Sequence, residues 1–192
     1  MLLFAHKSLK KFLLGAYVQK GVTRPSVFAA LASVLSALTA LLTYLPGLAL
    51  PSPTGGYTHV GDTVIYLSAL LFGRWMGVVV GLIGPVVADL LVGYPRWYVT
   101  LAAHGLQGLI AGLGRGKRFP LQLAAMILGG LVMSFTYFAV NVFVKGLGPA
   151  LVSLARDVFG QTLVSVALAS LLLKPLERSQ PVKAAQKLLG FS

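Results

Sequence analysis

From Ser26 to Leu45 the chain runs twenty residues without one charged side chain, and from Pro120 to Val144 it does so for twenty-five. A helix rises about 1.5 Å per residue, so each run spans roughly the 30 Å of a bilayer's hydrocarbon core. Charged residues make up only 10% of the 192 residues, against about 25% in a soluble domain. The polar remainder falls in short stretches between apolar runs. The pattern is that of an all-α integral membrane protein, and a secretory signal core of roughly 7–15 residues is too short to explain the first run.

Breakers and periodicity place six transmembrane helices, at about 26–45, 62–73, 75–92, 97–113, 120–144 and 151–173. Residues 1–24 form a basic leader, interfacial and amphipathic in its first part; residues 25–175 form the membrane domain; residues 176–192 form a basic tail. The second helix is short, about 18 Å at helical rise, and cannot cross the core alone. The segment 46–61, rich in Pro and Gly, is expected to fold back over it. Irregular backbone at that depth has to be buried in protein or line a cavity, so a short helix here points to a chamber under a lid.

Charge placement sets the orientation. Both termini are expected in the cytoplasm, which puts 13 of the 16 basic residues on that side and leaves Arg96, Lys145 and Arg156 elsewhere. Basic residues accumulate on the cytoplasmic flanks of spans and meet anionic lipid there. The net charge of +12 is read in this way, with the bilayer as partner and no nucleic acid.

The chain has no cysteine, which removes disulfides, zinc–thiolate sites and iron–sulfur clusters. The segment from Ala111 to Arg118 resembles a phosphate-binding loop but has alanine first and arginine last, and it joins two membrane helices instead of following a strand. No Gly-x-Ser-x-Gly elbow and no His-x-x-x-His spacing occurs. A catalytic role, a cofactor and a metal are therefore not expected.

A small polar set remains in the outer half. It comprises Tyr57, His59 and Asp62, then Asp89 and Trp97, then Thr100, His104 and Gln107, and finally Tyr137, Asn141, Arg156 and Asp157. Thr100, His104 and Gln107 stand four and three apart and share one helix face. Each residue has two readings. Asp89 with Arg96, or Asp157 with Arg156 or Lys145, could form structural ion pairs, and Asp62 could cap its helix. As a group, aromatic rings with a few directed polar groups have the build of a small-molecule site, and a carboxylate in a membrane helix is a functional candidate by default.

The first helix carries two small-residue ladders, Ala29-Ser33-Ala37 and Ala32-Ser36-Ala40, each repeating every fourth residue. Such ladders let a second backbone approach closely, and one of them is a candidate surface for a separate membrane protein.

The order Gly61-Asp62, Leu71-Phe72-Gly73-x-x-x-Gly77, Gly81-x-x-Gly84, Asp89-Leu90-Leu91-x-Gly93-Tyr94, Trp97, Thr100 and Gly105-Leu106-x-Gly108-Leu109-Ile110-x-Gly112 resembles the substrate-binding S component of energy-coupling factor (ECF) vitamin transporters. The resemblance implies a six-helix subunit that binds a small water-soluble vitamin or precursor from outside, under the loop after its first helix. It implies a membrane T component and two cytoplasmic ATPases as partners, with the small-residue ladders as docking surface, in a prokaryotic plasma membrane. Many relatives carry lysine before the glycine of the fourth helix and glutamate two residues after it; this chain has His104 and Gln107. The alternative is a self-contained secondary transporter or channel, which requires its own coupling-ion site and an inverted repeat.

Overall fold

The computed structural model describes residues 24–45, 50–55 and 57–191; apart from Arg24, the expected leader lies outside these. Four helices are long and apolar enough to cross a membrane. They are α1 (Arg24–Tyr44), α3 (Arg74–Leu91), α5 (Phe119–Lys145) and a 32-residue rod, Leu147–Arg178. The rod consists of α6 (Leu147–Ala155), a π-helical stretch Arg156–Thr162 and α7 (Leu163–Arg178). Between them lie the short α2 (Asp62–Phe72) and α4 (Trp97–Ala111). The first five helices begin and end within two residues of the sequence expectation.

The last span is longer than expected at both ends. Gly148 and Pro149 look like breakers, yet Pro149 falls in the first turn of α6, where its missing N–H costs no helical bond. Pro175 lies inside α7. A further helix, α8 (Gln180–Leu188), forms in the basic tail. A two-stranded hairpin also forms in the loop after α1, with β1 (Leu50–Pro51) antiparallel to β2 (Tyr57–Thr58).

Every residue of α2 is buried. Beyond Asp62 and Thr63 it is mostly apolar, and α1, α3, α4 and α7 surround it, as expected for a helix at the centre of a bundle. Eleven residues give about 16 Å of helix, so α2 fills only part of the bundle's depth. The remaining depth, beyond the N-terminal end of α2, is where the site forms. Leu71 O, near the other end, accepts from Arg115 Nε and from Gln186 Nε2 of α8.

The glycines of α3 set its neighbours. A Cβ on Gly81 would stand 2.2 Å from His104 O of α4, and one on Gly108 would stand 2.2 Å from Gly77 O. The α3 and α4 backbones are therefore in direct contact, the close approach that small residues permit in membranes. Gly84 faces the other way, against Thr39 and Ser36 of α1. The outer surface is rich in exposed apolar side chains, with Phe143 91% and Leu171 72% exposed, the inverse of a soluble protein.

A covered cleft as candidate functional site

A cleft of about 450 Å³, counting its open mouth, lies at the N-terminal end of α2. Its lining brings together nine of the twelve residues expected to contact a ligand: Tyr57, His59, Asp89, Thr100, His104, Tyr137, Asn141, Arg156 and Asp157. Asp62 and Gln107 sit directly behind this wall, both fully buried. Trp97 stands outside it, 41% exposed and edge-to-face with Tyr98. The lining also includes Tyr94, Gln161, Lys145, Pro85 and Met133. Met133 carries no sequence signal, since a methionine in a long apolar helix reads like its neighbours.

The hairpin covers the cleft. Tyr57 projects from it and His59 directly follows it, and its tip is held where Lys145 Nζ and Arg156 Nη1 both donate to Gly55 O, at 3.2 and 3.4 Å. Thr54 Oγ1 lies 2.9 Å from Ser153 Oγ of α6.

Two carboxylates organise the polar wall. Asp89 accepts from Tyr57 at one oxygen and from Thr100 at the other, both at 2.5 Å, and Thr100 in turn accepts from Tyr137 at 2.6 Å. One chain of hydroxyls thus joins the hairpin, α3, α4 and α5. Asp89 does not pair with Arg96, whose Nε donates to Tyr94 Oη instead.

Asp62 is the second. The N-cap of α2 is Gly61, and no side chain caps the helix. The Asp62 carboxylate instead turns inward, where Oδ2 accepts from Gln107 Nε2 and Gln161 Nε2, both at 3.0 Å. Gln107 Oε1 lies 2.8 Å from His104 Nδ1. Asp157 pairs with Arg156 at 2.7 Å. The π-helical turn presents both Asp157 and Gln161 to the interior; such turns are often found at functional sites.

Burial, reinforced by Asp89, holds the Tyr57 phenol well above its usual range, and burial raises Tyr94 as well. Both stay protonated and able to donate. Burial lowers His59 to about 4, so its imidazole is neutral at pH 7. The Asn141 amide, 4% exposed, makes no hydrogen bond among the described residues. It offers one free donor pair and one free acceptor to a solute. The rings of Tyr57, His104 and Tyr137 line the same cleft, so the wall suits a small polar molecule with a flat apolar part.

The two ladders of α1 take different positions. Ala32, Ser36 and Ala40 are buried, on the side that packs against α3, while Ala29, Ser33 and Ala37 are exposed.

Residues 27–178 match the family model for the ECF-type riboflavin transporter, S component. The thiamine precursor transporter HmpT of Lactococcus lactis is 31% identical over 152 residues, covering 78% of this chain and 87% of that protein. An uncharacterised protein of Pyrococcus woesei is 35% identical over 113 residues, covering 57% of this chain and 76% of its own. A UPF0397 protein of Streptococcus pneumoniae is 47% identical over 49 residues, 26% of this chain and 27% of its own. The chain belongs to the ECF-type riboflavin transporter S component family. It is accordingly a multi-pass membrane subunit of a vitamin-type transporter and not an enzyme.

Proposed function

We propose that this S component spans the membrane six times with both termini in the cytoplasm. In this reading it captures a small water-soluble vitamin or vitamin precursor from outside, with high affinity. A membrane T component and two cytoplasmic ATPases then drive delivery inward. Thirteen of sixteen basic residues fall on the proposed cytoplasmic side, which supports the orientation.

The observation that carries the reading is the cleft between the hairpin and the short α2, walled by Asp89, Asn141 and aromatic rings. It is accessible from one end of the bundle and closed below by the buried α2. Between the two vitamin classes named by the comparisons, a thiamine precursor fits better. A compact aminopyrimidine presents the donor and acceptor edge that Asn141 and Asp89 can read, while its ring stacks on the surrounding aromatics.

The exposed Ala29-Ser33-Ala37 face is the proposed contact for the T component. Ser33 Oγ already donates to Ala29 O, so this face can meet another helix without an unsatisfied hydroxyl.

Mass spectrometry of the small molecules that copurify with the protein tests the ligand, followed by calorimetric titration with a thiamine-pathway pyrimidine and with riboflavin. Sub-micromolar binding of the pyrimidine is the expected result. Binding of neither compound, with no vitamin copurifying, overturns the reading. Uptake by vesicles holding this chain alone would favour a self-contained transporter.

A further inference from the structure

We propose that His59, Asp62 and His104 form a binding site for a divalent transition-metal cation of the Zn²⁺, Ni²⁺ or Co²⁺ kind, set in the inner wall of the cleft. The proposal does not depend on the vitamin reading.

One ring nitrogen from each histidine and one carboxylate oxygen of Asp62 lie within 4.8 Å of one another, and all three residues are buried. From Asp62 Oδ1, His104 Nδ1 stands 3.3 Å away and His59 Nδ1 3.8 Å away. Donors bound at about 2.0–2.2 Å to one tetrahedral ion stand roughly 3.3–3.6 Å apart. The three side chains are therefore within small rotations of a shared centre.

Asp62 is the independent sign that something is meant to sit there. It is 0% exposed, and among the described residues no lysine or arginine comes within ion-pair distance of it. Buried charges are paired or coordinate metals. The Gln107 and Gln161 amides both donate to Oδ2 and fix the plane of the carboxylate. Oδ1 is left without a hydrogen bond, even from the nearby His104. An oriented carboxylate with one bare oxygen, backed by amides, is the outer-shell arrangement that holds metal-ligating acids in place. Gln107 Oε1, 2.8 Å from His104 Nδ1, is within reach as a further oxygen donor.

The donor set is two imidazoles and a carboxylate with no sulfur. It suits borderline divalent ions better than calcium or magnesium, which favour all-oxygen cages. Both histidines also line the cleft, which leaves an open position toward a solute. His59 follows the hairpin, whereas Asp62 and His104 belong to α2 and α4, so a bound ion would tie the covering loop to the bundle.

The test uses the full chain, untagged and chelator-washed in detergent, with no vitamin added. Zn²⁺ is titrated by calorimetry, and Co²⁺ is titrated with visible absorption as the readout of coordination. The expected result is about one ion per chain, with the absorption of a low-symmetry Co²⁺ site. Asp62→Asn and His59→Gln should each weaken binding by more than the about 10–100-fold that loss of an outer-shell partner costs, while eluting as the same monodisperse species. The remote Glu177→Gln should bind as the parent does. No stoichiometric ion in the parent chain, unchanged affinity in both site variants, or loss of binding in Glu177→Gln would overturn the proposal. The histidines would then be members of a hydrogen-bonded network only. Vitamin copurification, measured separately, reports on the transport reading whichever way the metal result falls.

Discussion

The phenol of Tyr57 and the carboxylate of Asp89 meet at 2.5 Å, joining the loop that covers the cleft to the third helix. Asp89 is 3% exposed and, among the described residues, has no lysine or arginine partner; hydroxyls satisfy both of its oxygens. Its charge is thus held by groups that can rotate away. A ligand offering better donors can take their place without leaving a carboxylate unpaired.

Asp89→Asn should therefore lower ligand affinity by about 10-fold or more, because hydrogen bonds to a charged group contribute about 1.5–3 kcal/mol each. The protein should stay folded, since the asparagine oxygen can still accept from one hydroxyl. Trp97→Ala, on the exposed side of α4 and outside the cleft, should change affinity less than about 2-fold. Equilibrium titration of both variants checks the contrast. Equal losses would mean that Trp97 shapes the site from outside.

Lys145 and Arg156 converge on the carbonyl of Gly55 at the hairpin tip. Lys145→Gln removes one charged arm of the latch and leaves the Arg156–Asp157 pair of the cleft wall in place. Because such an exposed contact is weak, about 0–1 kcal/mol, ligand release should quicken by no more than about 5-fold. Stopped-flow measurement of release reads this directly, and raising the salt concentration on the parent protein should move its rate in the same direction.

Gly81 has no room for a side chain, since a Cβ would meet His104 O at 2.2 Å. Gly81→Leu has to push α4 away from α3 and displace His104 with it. Overpacking of this kind costs about 1–3 kcal/mol and sometimes more, and here the obstacle is backbone, which cannot swing aside. The expected outcome is a large drop in the detergent melting temperature, with ligand binding lost. Gly116→Ala, in the loop before α5 with nothing within 4 Å of its Cβ, should cost only the strain of its φ of +69°.

The helices were legible because hydrophobicity and breakers are local signals. The apolar runs 26–45 and 120–144 each mark a helix without reference to the rest of the chain. The short α2 was legible for the same reason, and its length located the cleft. Pairings were less accessible. Asp62 at the start of a helix looks like a cap, and only the tertiary arrangement shows it turned toward Gln107 and Gln161. The π-helical register at Arg156–Thr162 leaves no mark in the apolar pattern, which reads as one unbroken span. Trp97 next to Tyr98 follows the same rule in reverse. An aromatic beside a polar turn suits a ligand pocket or a lipid interface equally well, and only packing separates the two.

The two faces of α1 make the last prediction. Ser36 is 3% exposed against α3, with its carbonyl beside Gly84, whereas Ser33 and Ala37 point outward. Leucine at Ser36 would have to enter the α1–α3 contact. Ser36→Leu should therefore destabilise the isolated subunit by about 1–3 kcal/mol, read as a lower melting temperature with or without partners. Leucine at Ser33 or Ala37 meets nothing inside the subunit, so Ser33→Leu and Ala37→Leu should melt and bind ligand as the parent does. Close helix contact depends on small residues, so the same two variants should fail to copurify with a T component if that face is the docking surface. The discriminating measurement is the pair of readouts together. Loss of assembly with intact ligand binding places the partner on the Ala29-Ser33-Ala37 ladder. Full assembly by both variants would move the partner to another face of the bundle.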